Sequence, residues 1–178
     1  RGSLRAATGC AGSSPNVPRG LRHSIVVGAS IPNAREVARP VIFTSEDPAG
    51  GGPAAGLVAG LRRALAEAPE AIVVLPADAP LGGRAALTLL SRLEDEPSVA
   101  AVVGVDAANR EQPLQLALRP AAAEALIAAA GPSDAAGVSA RRLLDALRPE
   151  LMTQRLTLAE LWDIDTRDQL LAWQLQSS

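Results

Sequence analysis

The sequence has no lysine, no tyrosine, one cysteine and one histidine. All 17 basic residues are arginine, so a mechanism that needs a lysine, such as a Schiff base or a lysine–phosphate contact, is excluded from this chain. Cys10 alone forms neither a disulfide within one chain nor a cysteine-ligated metal site. Two Trp, one Phe and no Tyr provide too few aromatic side chains for the stacking surface of a single-stranded nucleic-acid binder.

Strong charge and long apolar runs are also missing. The net charge is −2, so no broad basic field attracts DNA or RNA and we expect no nucleic-acid partner. No apolar run approaches the length of a membrane span and no signal peptide is visible, which predicts no membrane partner and a reducing cytoplasm. The 178 residues, 48% of them hydrophobic, are enough for a substantial core and favour a single domain, 1–178.

The most informative stretch is residues 71–80, AIVVLPADAP. Five apolar residues run without interruption to a proline, which predicts a strand buried on both faces, as in a parallel sheet. Asp78 follows its carboxyl end, where open α/β sheets bind their ligands, and a carboxylate there is suited to a divalent cation. The alternative is that Asp78 caps the helix that begins near Gly83 or Arg84. This stretch alone leaves both interpretations open.

The remaining pattern alternates strands and helices and predicts an α/β fold. We expect one predicted strand, residues 113–118, to be antiparallel to its neighbour because it has one polar face. In the predicted helix 84–94, Leu87, Leu90 and Leu93 share one face. The other predicted strands span residues 24–28, 40–44, 71–75, 99–105 and 151–158, and the other helices begin after Gly52, span 121–130, follow Ser139 and span 167–176.

Two further stretches have spacing that suits ligands. Residues 47–53, DPAGGGP, place three glycines before a helix start, where the backbone can approach an anion closely; a flexible connection is the alternative. Asp163 and Asp165 are two residues apart, so in an extended chain both side chains point to the same face. Asp165 and Thr166 alternatively cap the last helix, and Asp163 is expected to be solvated.

Three ordered segments, 47–57 (DPAGGGPAAGL), 75–80 (LPADAP) and 163–166 (DIDT), resemble the nucleotidyltransferases related to molybdenum-cofactor guanylyltransferase. Segments 112–114 (QPL) and 137–144 (GVSARRLL) are also similar to that family. The resemblance implies a three-layer α/β/α, Rossmann-like, mostly parallel sheet of the nucleotide-diphospho-sugar transferase type with one antiparallel strand. It also implies Mg²⁺ as cofactor and GTP as substrate. GMP would pass to a phosphate of molybdopterin with release of pyrophosphate, in a monomer or weak homo-oligomer.

The resemblance also implies roles for individual residues. Asp78 and Asp165 would be the catalytic carboxylates and the magnesium ligands, which suits a cation bound by one or two carboxylates together with phosphates. Arg110 and Gln112 would face the acceptor. The nucleotide would be bound by Asp47, Gly51, Gly52 and Pro53.

The chain departs from the family pattern at its beginning. The family starts with a strand and a glycine-rich phosphate loop followed by an arginine and a lysine, whereas Arg1–Ala7 resembles the segment just after that loop. We therefore expect a single domain that lacks the first strand and loop, with little or no transferase activity if this is the whole polypeptide. The alternatives are CTP-dependent cytidylyl transfer to molybdopterin, guanylyl transfer to a small phospho-acid such as phospholactate, and a non-catalytic α/β module. The coding sequence upstream of Arg1 would distinguish the module from the enzymes.

Overall fold

The computed structural model describes residues 22–28, 41–47 and 49–176. The predicted similarity of Arg1–Ala7 to a family segment lies outside these residues. The described chain is a three-layer α/β/α fold of the Rossmann-like type, as predicted. Its strands are β1 (Ser24–Val27), β2 (Val41–Thr44), β3 (Ile72–Val74), β4 (Ala101–Val105), β5 (Glu111–Leu118) and β6 (Leu151–Arg155). Its helices are α1 (Pro53–Leu65), α2 (Gly82–Asp95), α3 (Pro120–Ala130), α4 (Ala140–Leu144), α5 (Leu158–Leu161) and α6 (Arg167–Gln176).

The strands form two hydrogen-bonded ladders. β1 and β2 pair in parallel, and the other four strands have the order β3-β5-β4-β6. β5 is antiparallel to both β3 and β4, whereas β4 and β6 are parallel. β3, β4 and β6 therefore run in one direction, and β5 is the antiparallel strand that its alternating pattern predicts.

Both faces of the four-stranded sheet are covered by helices. Ile72, Val74 and Val103 belong to a buried cluster with α1, α3 and α4. Val102 and Leu75 belong to a second cluster with α2, and Leu161 of α5 packs against that cluster. Successive strand side chains point to opposite faces, so a strand covered on both sides needs apolar residues at every position. This explains the uninterrupted run before Asp78.

The inner face of α2 differs from the predicted one. Ala85, Ala86, Leu89 and Leu93 are almost completely buried, while Leu87 is only half-buried. The prediction of Leu87, Leu90 and Leu93 followed the leucines and overlooked the alanines. Small side chains bring the helix axis close to the sheet, so the buried stripe is centred on Ala85, Ala86 and Leu89.

β5 contains an irregularity next to the end of β4. Val103 pairs with Leu116, but the next residue, Gly104, pairs with Gln112, so residues 113–115 bulge out of the ladder. Pro113 has no N–H to donate to a neighbouring strand, which favours a bulge at this point. Gly104 has no Cβ, and one built there would lie 2.4 Å from Leu156 Cδ1. The glycine thus lets Leu156 fill the space beside the bulge.

Candidate active site

Asp78 lies just beyond the carboxyl end of β3 and is exposed. The alternative role as a helix cap is wrong, because α2 begins at Gly82, its N-cap is Leu81, and no side chain accepts a capping hydrogen bond there. The position at the sheet edge is the one expected for a ligand-binding carboxylate in an open α/β fold.

One hydrogen bond joins the Asp78 loop to the segment that carries Asp165. The backbone N–H of Ile164 donates to the Asp78 carbonyl oxygen at 2.9 Å. Asp163 and Asp165 flank Ile164, and both are exposed. Segments 86 residues apart in the chain are therefore adjacent in the fold.

The residues after Asp165 form the cap of α6. The side-chain oxygen of Gln169 accepts from the backbone N–H groups of Asp165 and Thr166, at 2.8 and 3.0 Å, and Thr166 Oγ1 accepts from the Gln169 N–H at 3.2 Å. This reciprocal arrangement resembles a capping box. The capping side chains are Thr166 and Gln169, while Asp165 contributes its backbone N–H.

The donor set fits a magnesium ion that is shared with a substrate. No group of three or more His, Cys, Asp or Glu side chains suited to a metal occurs within residues 22–28, 41–47 and 49–176. Mg²⁺ is commonly held by only one or two carboxylates together with substrate phosphates and water, and not by an all-protein cage. Two exposed carboxylates on adjacent segments, Asp78 and Asp165, are compatible with that mode of binding.

The glycine loop ends in the N-terminus of α1. Gly52 is the N-cap with φ of 92°, a conformation that favours glycine, and Pro53 occupies the first helical position. The Gly51 carbonyl accepts from the N–H of Gly137 at 3.1 Å. The Gly50 N–H donates to Glu46 Oε1 at 3.2 Å. Gly50 and Gly51 are thus each held by one hydrogen bond, which disfavours the interpretation as a flexible connection.

Asp47 lines a cavity of about 360 Å³ between the end of β2 and α1. Two arginines of α1 also line it: Arg62 binds the Asp134 carboxylate through both terminal nitrogens, and Arg63 pairs with Glu67 at 2.6 Å. Of the predicted site residues, Asp47 is the one that lines this cavity. The other residues in the lining are Thr44, Ser45, Ala59, Arg62, Arg63, Ala66 and Asp134.

Arg110 and Gln112 flank the start of β5 at the same sheet edge as Asp78. The Arg110 side chain is 75% exposed, and its Nε donates to Asp106 Oδ2 at 2.6 Å. Asp106 Oδ1 also accepts from the backbone N–H groups of Ala108 and Arg110. The Arg110 N–H above all, together with the arginine charge, holds the pKa of Asp106 below its ordinary value despite burial. Gln112 Nε2 donates to the Arg110 carbonyl at 3.3 Å, so these two predicted acceptor residues lie together.

A polar network that joins α5 to α2 and β5 was not predicted. Glu160 is 8% exposed, and its carboxylate accepts from Thr88 Oγ1 at 2.7 Å and from Thr157 N and Oγ1 at 2.8 Å each. Burial favours the neutral carboxyl, but these hydrogen bonds and the charge of Arg84 outweigh it and lower the pKa of Glu160. Gln115 Nε2 donates to the Glu160 carbonyl at 2.8 Å. The signal was the capping-box pattern Thr-x-x-Glu at residues 157–160.

Most of the chain matches one family model. Residues 17–151 match the model described as the MobA-like NTP transferase domain. The chain belongs to this family. It is therefore a nucleotidyltransferase by family, as the sequence resemblance implied. The MobA-like region includes Asp47, Gly51, Gly52, Pro53, Asp78, Arg110 and Gln112, whereas Asp165 lies beyond its end.

Comparison with solved structures supports the fold. The structure is similar to that of molybdopterin-guanine dinucleotide biosynthesis protein A from Archaeoglobus fulgidus, with a TM-score of 0.52 and 19% sequence identity. The alignment covers 76% of this chain and 68% of that protein. A comparison with curated proteins gives no match. Among the described residues of this MobA-like domain, no helix combines the length and apolarity needed to cross a membrane.

Proposed function

We propose that this MobA-like domain transfers GMP from GTP to a phosphate of a molybdopterin-type acceptor, with release of pyrophosphate. The observation that carries the proposal is the hydrogen bond from Ile164 N–H to the Asp78 carbonyl. It joins two acid-bearing segments at the sheet edge where α/β folds bind nucleotides. Family membership supports the reaction class, and the guanine and the acceptor are our inference.

Asp78 and Asp165 would hold a magnesium ion together with the phosphates of GTP. Bound there, the ion would neutralise charge that develops on the transferred phosphoryl group. The protein's own residues then bind and orient the two substrates. The glycine loop and Asp47 would contact the nucleoside, which the sequence GGGP followed by AAGL leads us to assign as guanosine. No side-chain nucleophile is required, because the acceptor phosphate attacks the α-phosphorus.

Arg110 and Gln112 would bind the acceptor. A guanidinium is suited to a phosphate because it offers paired N–H donors, and Asp106 holds this one in place through Nε. The phosphate of the acceptor would then approach the sheet edge from the side of β5.

The test is nucleotide binding in the presence of magnesium. We expect GTP with Mg²⁺ to raise the Tm of the wild-type chain more than CTP, ATP or UTP does, and Asp78→Asn to abolish the increase. Asp163→Asn is the matched control, since Asp163 is exposed and has no proposed ligand role. An equal GTP shift in wild type and Asp78→Asn overturns the metal assignment.

Transfer itself is measured with GTP labelled at the α-phosphate and molybdopterin as acceptor. Labelled GMP on the acceptor and equimolar pyrophosphate support the proposal. A larger increase in Tm with CTP than with GTP would overturn the choice of nucleotide. Transfer to a small phospho-acid and not to molybdopterin would overturn the choice of acceptor. Mg–GTP binding without transfer to either acceptor, measured on the full polypeptide that the coding sequence specifies, overturns the enzyme in favour of a nucleotide-binding module.

A further inference from the structure

The segment that carries Asp165 lies between α5 and the cap of α6, in which the Asp165 N–H donates to Gln169 Oε1. It follows α5, which has only four residues, Leu158–Leu161. A single helical turn is unstable in isolation, because the conformational entropy lost in forming it exceeds the stabilisation that its few hydrogen bonds provide. The position of this segment must therefore come from tertiary contacts.

Those contacts converge on Glu160, the third residue of α5. Its carboxylate accepts from Thr88 of α2, and its carbonyl accepts from Gln115 in the bulge of β5. Thr157 completes a capping box at the start of the turn. Glu160 and Gln115 are 8% and 4% exposed, so water competes little for these bonds.

Only three residues separate Glu160 from Ile164, whose N–H binds the Asp78 carbonyl. An extended chain spans about 3.3–3.6 Å per residue. The three linking residues are therefore too short to let α5 move far without also moving Ile164. The network and the Asp78 contact are thus two fixed points of one short segment, and Asp165 lies immediately after the second.

We propose that Thr88, Gln115 and Glu160 are positioning residues for nucleotidyl transfer: they fix α5 on α2 and β5 and so hold Asp165 beside Asp78. This inference rests on the proposed function. None of the three side chains touches substrate in this scheme. Their effect on catalysis passes through the Ile164–Asp78 hydrogen bond.

Thr88→Val tests the network because it removes the hydroxyl and nearly preserves the shape. We expect the Ile164 amide to exchange with solvent about tenfold faster, while the exchange of amides in α1 and α3 is unchanged. Thr88→Ser retains the hydroxyl and should restore wild-type exchange. Thr153→Val, an exposed position on β6, is the control and should have no effect. Gln115→Leu provides a second variant, which loses the donor to the Glu160 carbonyl and should also accelerate Ile164 exchange.

Transfer kinetics supply a measurement that general destabilisation does not mimic. In Thr88→Val we expect the Mg²⁺ concentration for half-maximal transfer to rise about tenfold, with KM for the acceptor unchanged, and Thr88→Ser to reverse the change. Unchanged Ile164 exchange, or equal acceleration in α1 and α3, overturns the positioning role even when wild type transfers GMP. Absence of transfer by the full wild-type polypeptide that the coding sequence specifies overturns the proposed function and the catalytic role, whatever the exchange rates show.

Discussion

Glu160 shows how a buried carboxylate stays ionised without a direct arginine partner. Desolvation favours the neutral form, but three hydrogen bonds from Thr88 and Thr157 stabilise the charge, and the pKa is lowered. A group whose pKa is lower in the folded than in the unfolded state stabilises the fold above its unfolded pKa. That stabilisation is lost as the pH falls through the folded value.

Glu160→Gln should therefore change how stability depends on acid. At neutral pH we expect the free energy of unfolding to fall by about 1–3 kcal/mol. The hydrogen bonds to a charged acceptor become weaker, and an NH₂ donor replaces one of the two accepting oxygens. Below about pH 4.5, where the unfolded glutamate protonates, wild type should lose stability more steeply than the variant. Urea unfolding from pH 3 to pH 7 measures both slopes. Glu124→Gln, at an exposed position in α3, should follow the wild-type slope, and parallel slopes for Glu160→Gln would contradict the assignment.

At the level of elements, the end of α2 is fixed by an arginine from the far end of β5. Arg119 Nη2 donates to the Leu93 carbonyl at 2.8 Å, and Nε donates to the Val99 carbonyl at 3.0 Å. The last carbonyls of a helix have no partners within it. Arg119 thus satisfies one of them and also orients the approach to β4.

Arg119→Met should destabilise the chain by about 1–3 kcal/mol, because partly buried carbonyls lose their donors. Arg92→Met is the control, since Arg92 of α2 pairs at 3.3 Å with Glu96, the residue that follows the helix, and both side chains are 37% exposed. Such pairs contribute about 0.3–0.5 kcal/mol. We compare the midpoints of urea unfolding of the two variants with that of wild type, which report stability when the m-values are equal. Similar losses in both variants would show that the Arg119 hydrogen bonds have no special structural role.

The elements could be predicted because their signals are local. The uninterrupted run of β3, the antiparallel β5 and the helix after Ser139 all follow from neighbouring residues. In the structure Ser139 Oγ caps this helix, α4, by accepting from the Arg142 N–H at 3.2 Å. The buried face of α2 could not be predicted in this way. Leucine and alanine both tolerate burial, and the sheet beneath the helix decides which of them faces it.

At the level of the whole molecule, the site depends on contacts between distant parts of the chain. Asp78 was recognisable from its strand and lies exposed at the sheet edge, and its role as a metal ligand stays a prediction. The Ile164–Asp78 and Gly137–Gly51 hydrogen bonds and the Gln115–Glu160 contact join residues 45 to 86 positions apart. No spacing rule specifies such pairs. The sequence identified residue types, and the fold decides which of them are neighbours.

The same sheet separates two hydrophobic clusters, so we expect the chain to unfold as a single unit. Leu126 of α3 and Leu93 of α2 are buried on opposite faces, while Val102 and Val103 of β4 connect the faces through adjacent residues. Leu126→Ala and Leu93→Ala should each cost about 2–5 kcal/mol and shift one common transition. Leu158→Ala, at an 82% exposed position, should change stability by less than about 0.5 kcal/mol.

Two signals test whether the chain unfolds as one unit. Far-UV circular dichroism follows the helices and strands, and tryptophan fluorescence follows Trp162 and Trp173. If the two signals give different midpoints in either core variant, the layers unfold separately, because coincident transitions are required of one cooperative unit.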